Sequence, residues 1–386
     1  MESKTQYDKA LSISFNQDYS LFSMGTENGF KIFNTYPFNH GYEKTMAGGI
    51  AKCELSYRSN YLALIGGGSS PSFNCKKVIL YNDEKESIES EFKFTTPVLN
   101  VKLKKFLIFI VCEKKIFVFN IENSQNIDSL ETSTNKNGLI AINGDPEKTI
   151  MACPIEFNEN DSNKGYVSIK NYKNNKCFPL LVHDDKISYM AMDYYGLLLA
   201  TSNEKGTLIR IHSCKDGTLL QECKRGKEKA QIFYINFDID YKYMGVSSDR
   251  KTIHIWKLDN IIERKEKDTI SSSSDIKNVK VEKTHKKSKT VVDFDISNEK
   301  DEIRVKDIKN YKTESSFCKV RMNDTDCIFC FVPNNVIIII SLKGIYYKVK
   351  IDVKGGDCPI IFEKNIKVLK ELKEAKKEKG KGKEQK

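Results

Sequence analysis

Lys224, Arg225 and Gly226 stand together at the end of a strand-like segment, LLQECKRG (219–226). Successive side chains of a strand point to opposite faces. One cation of the pair therefore faces each side of its sheet, at two separate places. Arginine offers a planar fork that grips two oxygens of a phosphate, and lysine a point charge. A glycine directly after them permits a tight exit and close approach of backbone to ligand. Hydroxyls that could complete a phosphate shell follow in VSSDRKTIHIW (246–256), as Ser247, Ser248 and Thr252. On period alone, His254 between Ile253 and Ile255 reads as an ordinary rim histidine, and Arg210 in LIRI as an outward residue between apolar ones.

Other reactive patterns lead nowhere. Cys327 and Cys330 have CxxC spacing, but residues three apart on a strand face opposite sides and cannot share a metal. Gly66, Gly67 and Gly68 follow a strand without the helix start that a phosphate loop needs. The five histidines, His40, His183, His212, His254 and His285, fall in no ligand or nucleophile-activating pattern. The acids are spread through loops. The chain is read as a non-enzyme that needs no cofactor and no metal.

The elements that must position Lys224 and Arg225 recur along the chain. An apolar strand, a polar turn and a second short strand appear in 19–34, 61–83, 106–120, 149–171, 196–213, 241–257 and 336–350. Their spacing of roughly 40–50 residues is the period of a four-stranded propeller blade. One blade cannot bury both faces of its sheet, but a closed ring can. Seven copies predict an all-β, seven-bladed propeller over 7–363, with Lys224 and Arg225 on the outermost strand of the fifth blade. Closure is expected between ALSISFN near the start and CPIIFE (358–363). The double interval before the last copy predicts an insertion in the sixth blade, 259–315, read as a long charged loop, mostly disordered.

Charge placement narrows the possible partners. The net charge is +11, but 364–386 alone holds ten Lys against four Glu. That is a lysine-rich tail of net charge +6 on a mildly basic body. Within the insertion, Lys277 to Lys289 carries six Lys against one Glu, a stretch suited to an anionic surface. The basic tail lacks the aromatic interleaving of a nucleic-acid module, so no nucleic acid is expected. The start, MESKTQYDKA, has no apolar leader, and no run approaches the ~20 apolar residues of a membrane span. Eleven scattered cysteines then read as reduced core thiols. A soluble cytoplasmic protein with peripheral membrane contact is expected.

Around QECKRGKEKAQIFYINF (221–237) and GVSSDRKTIHIW (245–256) the sequence resembles the PROPPIN family, seven-bladed propellers that bind phosphoinositides in autophagy. That family carries Phe/Leu-Arg-Arg-Gly followed by VSSDxxTxHI; here the first motif reads Cys223-Lys224-Arg225-Gly226. Further matches are SFNQDYSLFSMGTENGFKIFNTYPF (14–38), LLLATSNEKGTLIRIHSCKDGTLLQE (197–222) and LALIGGGSSPSFNCKKVILYND (62–83), the last similar to the second blade of the smaller WIPI-type members. The likeness runs from about Ser14 to Leu369, skipping the insertion. Two departures stand out: Lys224 replaces the first arginine, and the sixth-blade loop is charged where the family has apolar residues.

The resemblance implies two rim pockets. The first takes His183, Ser202, Lys205, Thr207, Arg210 and Lys224. The second takes Arg225, Lys229, Ser247, Ser248, Thr252 and His254. Neither set holds an acid, and both motif cations are expected at the exposed rim. The implied ligands are phosphatidylinositol 3-phosphate and the 3,5-bisphosphate, on endosomal, vacuolar or autophagosomal membranes. The implied protein partner is an autophagy lipid-transfer protein, with Asn74 to Glu84 as its surface on a monomer. The alternative is a propeller scaffold that assembles proteins without touching lipid.

Overall fold

The computed structural model describes residues 8–157, 163–264, 303–306, 308 and 310–366. Seven sheets follow one another along the chain, each with four antiparallel strands running from an inner to an outer strand. These are the seven blades. Blade 4 ends on the outer strand Lys176–His183. Blade 5 is built from Ile187–Met192, Leu198–Asn203, Leu208–Ser213 and Leu219–Lys224. Blade 6 is built from Ile232–Phe237, Tyr243–Ser248, Thr252–Lys257 and Cys318–Arg321.

Burial on both faces explains the near-continuous apolar runs. Val336–Ser341, the second strand of blade 7, is buried at every position. Ile337 and Ile339 pack with Ile253 and Val320 of blade 6. Ile338 and Ile340 pack with Phe15, Phe22 and Phe33 of blade 1. Each such side chain contributes about 1.5–3 kcal/mol when removed from water. Cys327 and Cys330 divide between the same two clusters, as strand alternation requires. All eleven cysteines are free.

Ring closure differs from the expectation. Ile360–Asn365 pairs with Ile345–Lys350 inside blade 7, and Ala10–Phe15 pairs with Leu21–Thr26 inside blade 1. Each terminal blade is complete in its own strands, so side chains close the ring instead. The Tyr346 hydroxyl donates to the Thr35 carbonyl at 3.0 Å, and its ring lies 4.8 Å from that of Phe38.

The insertion enters and leaves blade 6 between Thr252–Lys257 and Cys318–Arg321, and its described ends are ordered. Ile262–Arg264 pairs with Ile303–Val305. Thr313–Ser315 adds in parallel to the fourth strand of blade 5, so the strand bearing Lys224 has a fifth strand outside it. Gly356–Asp357 caps blade 6 in the same way. The disorder expected for the loop and the solvated lysine tail concern residues largely outside those described.

Candidate functional site

Strand register decides which side of a blade each candidate faces. In blade 5, Arg210 lies opposite Thr201 and Glu222, and Lys224 opposite Leu208, so these side chains share one face. That face looks toward blade 4: Arg210 Nη1 donates to the Val182 carbonyl at 2.9 Å. His183, at the end of the blade 4 outer strand, is buried beside it. Lys205 and Thr207 come from the turn that joins the second and third strands of blade 5. The first groove thus gathers His183, Lys205, Arg210 and Lys224 between blades 4 and 5; Thr207 stands in the turn just before Leu208, its carbonyl accepting from the Arg225 N–H.

Ser202 does not join them. It lies opposite Ile209, on the face that packs toward blade 6, and its hydroxyl donates to the Asn203 carbonyl at 3.2 Å. The groove is also not free of acids. Arg210 Nε donates to Glu222 Oε2 at 3.1 Å, and Lys205 Nζ lies 2.9 Å from Asp185 Oδ2. Period 2 already put Glu222 on the face of Lys224, two residues away, so this neighbour was legible in the sequence. Lys224 is exposed, and its ammonium makes no hydrogen bond or ion pair among the described residues.

Arg225 turns the other way, into the groove between blades 5 and 6, and it is not an exposed rim residue. Only 7% of it is accessible. Its Nε donates to the Gly206 carbonyl at 2.6 Å, its Nη2 to the Glu228 carbonyl, and its backbone N–H to Thr207 at 2.8 Å. The loop 226–229 folds back over the guanidinium, and the Arg250 Nη2 pins that loop by donating to the Lys229 carbonyl at 2.8 Å. Burial lowers the Arg225 pKa, against the field of Asp249. The Lys229 side chain is exposed at the edge of the same loop.

The glycine that this arrangement needs is Gly206, not Gly226. Gly206 has a φ of +60°, and a Cβ there would stand 2.0 Å from the Ala230 carbonyl oxygen. At Gly226 a Cβ would meet nothing within 4 Å. Gly206 therefore locks the turn carrying Lys205 and Thr207 to the loop carrying Arg225 and Lys229.

In blade 6, Val246 lies opposite His254, and Ser247 opposite Ile253. Alternation then puts Ser248, Thr252 and His254 on the face toward blade 5, with Arg225. Ser247 faces blade 7, where its hydroxyl donates to the Cys327 carbonyl at 2.8 Å. It is spent on the blade interface. His254 is buried, with Nδ1 3.1 Å from Ser316 Oγ and its ring stacked on Trp256 at 5.9 Å. Ser316 follows the added strand Thr313–Ser315, whose Thr313 hydroxyl reaches Glu222 at 2.9 Å. The insertion's exit thus touches the lining of both grooves, across more than sixty residues of sequence that conceal the contact.

Burial holds all three histidines here neutral. His183 and His254 are each pushed down to about 4, and His212 to about 3, with desolvation leading and nearby cations adding to it. Buried polar atoms remain without partners at His183 Nε2 and His212 Nδ1. The two grooves therefore present cations, hydroxyls and neutral imidazoles around one β-edge, a set that matches phosphomonoester oxygens. Among the described residues no cluster of His, Cys, Asp or Glu could hold a metal.

The family model for PROPPIN matches residues 10–362. The chain belongs to the PROPPIN family. It is 33% identical over 267 residues to Autophagy-related protein 18 of Yarrowia lipolytica, covering 64% of this chain and 66% of that protein. Autophagy-related protein 18e of Arabidopsis thaliana is 28% identical over 363 residues, covering 92% and 87%. Among solved structures, Kluyveromyces lactis Hsv2 superposes with a TM-score of 0.68 at 17% identity, over 93% of this chain and 99% of that one. The complex of KlAtg21 with the coiled-coil of AgAtg16 gives 0.69 at 18%, with the same coverage. These likenesses agree with the seven-bladed architecture and with membership of an autophagy-related family. Among the described residues, no helix is long and apolar enough to cross a membrane.

Proposed function

We propose that this PROPPIN is a non-catalytic effector that docks peripherally on membranes by binding phosphoinositide head groups. Phosphatidylinositol 3-phosphate and the 3,5-bisphosphate are the ligands the reading favours. One observation carries it. Two cations adjacent in sequence, Lys224 and Arg225, are delivered into two different grooves, each already lined by a neutral imidazole and by hydroxyl or further cationic groups. Two modest sites on one edge hold a membrane far better than either alone, since the second contact is intramolecular. The first groove is the weaker partner, because Glu222 and Asp185 already neutralise Arg210 and Lys205.

The test is flotation with liposomes carrying either lipid, comparing wild type with Lys224→Ala plus Arg225→Ala. Recruitment of wild type only, with both proteins folded, supports the reading. Equal recruitment of both sinks it.

A second reading, protein assembly without lipid contact, has its own observation. A groove of about 600 Å³ between blades 2 and 3 is lined by Tyr61, Leu80, Phe106 and Ile121, with Glu89 and Glu122 at its sides. It adjoins the Asn74 to Glu84 surface proposed for an autophagy lipid-transfer protein. The two readings are compatible, and the double variant separates them, since it leaves this far groove intact.

A further inference from the structure

The outer strand of blade 6 brings a residue to the second groove that lies beyond the insertion. His254 stands directly opposite Lys319, and Thr252 opposite Arg321. Residues directly opposite in an antiparallel pair project from the same face, with Cβ atoms about 4.5–5.5 Å apart. Lys319 and Arg321 therefore share the face of Ser248, Thr252 and His254, the face toward Arg225. Their situations differ. Arg321 is engaged, with Nε 3.2 Å from Asp357 Oδ2. Lys319 is exposed, and its ammonium has no hydrogen bond or ion pair among the described residues.

The mounting of Lys319 is rigid although its head is free. Its strand is paired on one side with Thr252–Lys257 and on the other with Gly356–Asp357. Its carbonyl also accepts from the Cys358 N–H at 2.7 Å. Arg225 reaches the same groove from the blade 5 side, fixed by its two carbonyl partners. A ligand in this groove therefore meets the Arg225 guanidinium from blade 5 and an unspent ammonium on the blade 6 wall.

We propose that Lys319 is the outer wall of the second groove and binds a second phosphomonoester on the inositol ring, so that it selects doubly over singly phosphorylated head groups. The inference rests on the phosphoinositide reading above. A head group with one phosphomonoester is satisfied by Arg225 with the hydroxyls of Ser248 and Thr252. A further dianionic group on the ring needs another cation, and a lysine on a flexible stem supplies one without a fixed approach angle. Its exposure makes substitution harmless to the fold.

Isothermal titration of wild type, Lys319→Ala and Lys319→Arg with soluble glycerophosphoinositol 3-phosphate and glycerophosphoinositol 3,5-bisphosphate, whose position 1 stays a phosphodiester, tests this. Lys319→Ala should lose about five- to tenfold in affinity for the 3,5-bisphosphate and less than about twofold for the 3-phosphate, with recovery in Lys319→Arg. Equal losses for both ligands, or none, overturn the assignment while leaving the groove itself standing. Wild type that binds neither ligand overturns the groove reading as well. In flotation, vesicles carrying the 3,5-bisphosphate should lose Lys319→Ala while those carrying the 3-phosphate keep it. A loss seen only with the soluble ligand overturns a lipid as its source.

Discussion

Replacing Arg225 by alanine should destabilise the protein, whereas replacing its neighbour Lys224 should not. Arg225 is 7% accessible and donates to the carbonyls of Gly206 and Glu228. Hydrogen bonds from a charged group contribute about 1.5–3 kcal/mol each, and truncation also leaves a part-buried carbonyl to find water. Allowing for solvent reaching the Glu228 side, the loss is on the order of 2–4 kcal/mol. For a domain of this size that lowers Tm by roughly 3–8 °C. Lys224 has no partner among the described residues, and an exposed substitution usually stays within about 0.5 kcal/mol. Its variant should melt within about 1 °C of wild type. Differential scanning fluorimetry of the two single variants, without ligand, reads the contrast directly. Equal shifts, or no shift in either, would show that the knot around Arg225 does not hold in solution, and that both residues are simple rim charges.

Three further outcomes follow from the same geometry. Gly206→Ala, with a Cβ 2.0 Å from the Ala230 oxygen and a φ of +60°, should loosen both loops at once. It should weaken head-group binding in both grooves, whereas Gly226→Ala, with open space around it, should leave titrations unchanged. Lys224→Arg should strengthen binding several-fold, since a fork replaces a point contact, an advantage on the order of 1 kcal/mol; calorimetry showing no gain would mean that Arg210 and Lys205 already saturate that phosphate. Because His183 and His254 sit near 4 in the fold against about 6.5 when unfolded, the unfolded chain takes up protons first as pH falls. Stability should be full above about 6.5 and decline toward 4. A head-group anion favours imidazolium, so its stabilisation should be larger at pH 5.5 than at 7.5 in thermal shifts. A flat Tm across that range would contradict the burial of these rings.

The propeller was legible because its signal is local and repeated. Each copy is an apolar strand, a turn and a second strand, and burial on both blade faces forces the unbroken runs seen in VIIIIS (336–341). The placement of Lys224 and Arg225 in different grooves also needed only period 2. Period 2 could have separated Ser247 from Ser248, whereas the turn of Ser202 toward blade 6 needed the hairpin register that sets it opposite Ile209. The acids in the first groove were visible too, Glu222 at two residues from Lys224. Other features were beyond local reading. Lys319 and Ser316 reach His254 from across the insertion, and only strand register brings them there. The burial of Arg225 depends on a loop folding back, and side-chain closure between blades 7 and 1 depends on strand count in the last blade. None of these leaves a mark in local spacing.

The most direct measurement is flotation of the folded Lys224→Ala plus Arg225→Ala variant beside wild type, on vesicles containing phosphatidylinositol 3-phosphate or the 3,5-bisphosphate. It should be run below the variant's melting temperature, with circular dichroism confirming the propeller. Wild type should float with both lipids and stay in solution with plain phosphatidylcholine, and the variant should stay in solution throughout. A folded variant that floats as well as wild type would contradict the claim that these two cations carry the membrane contact.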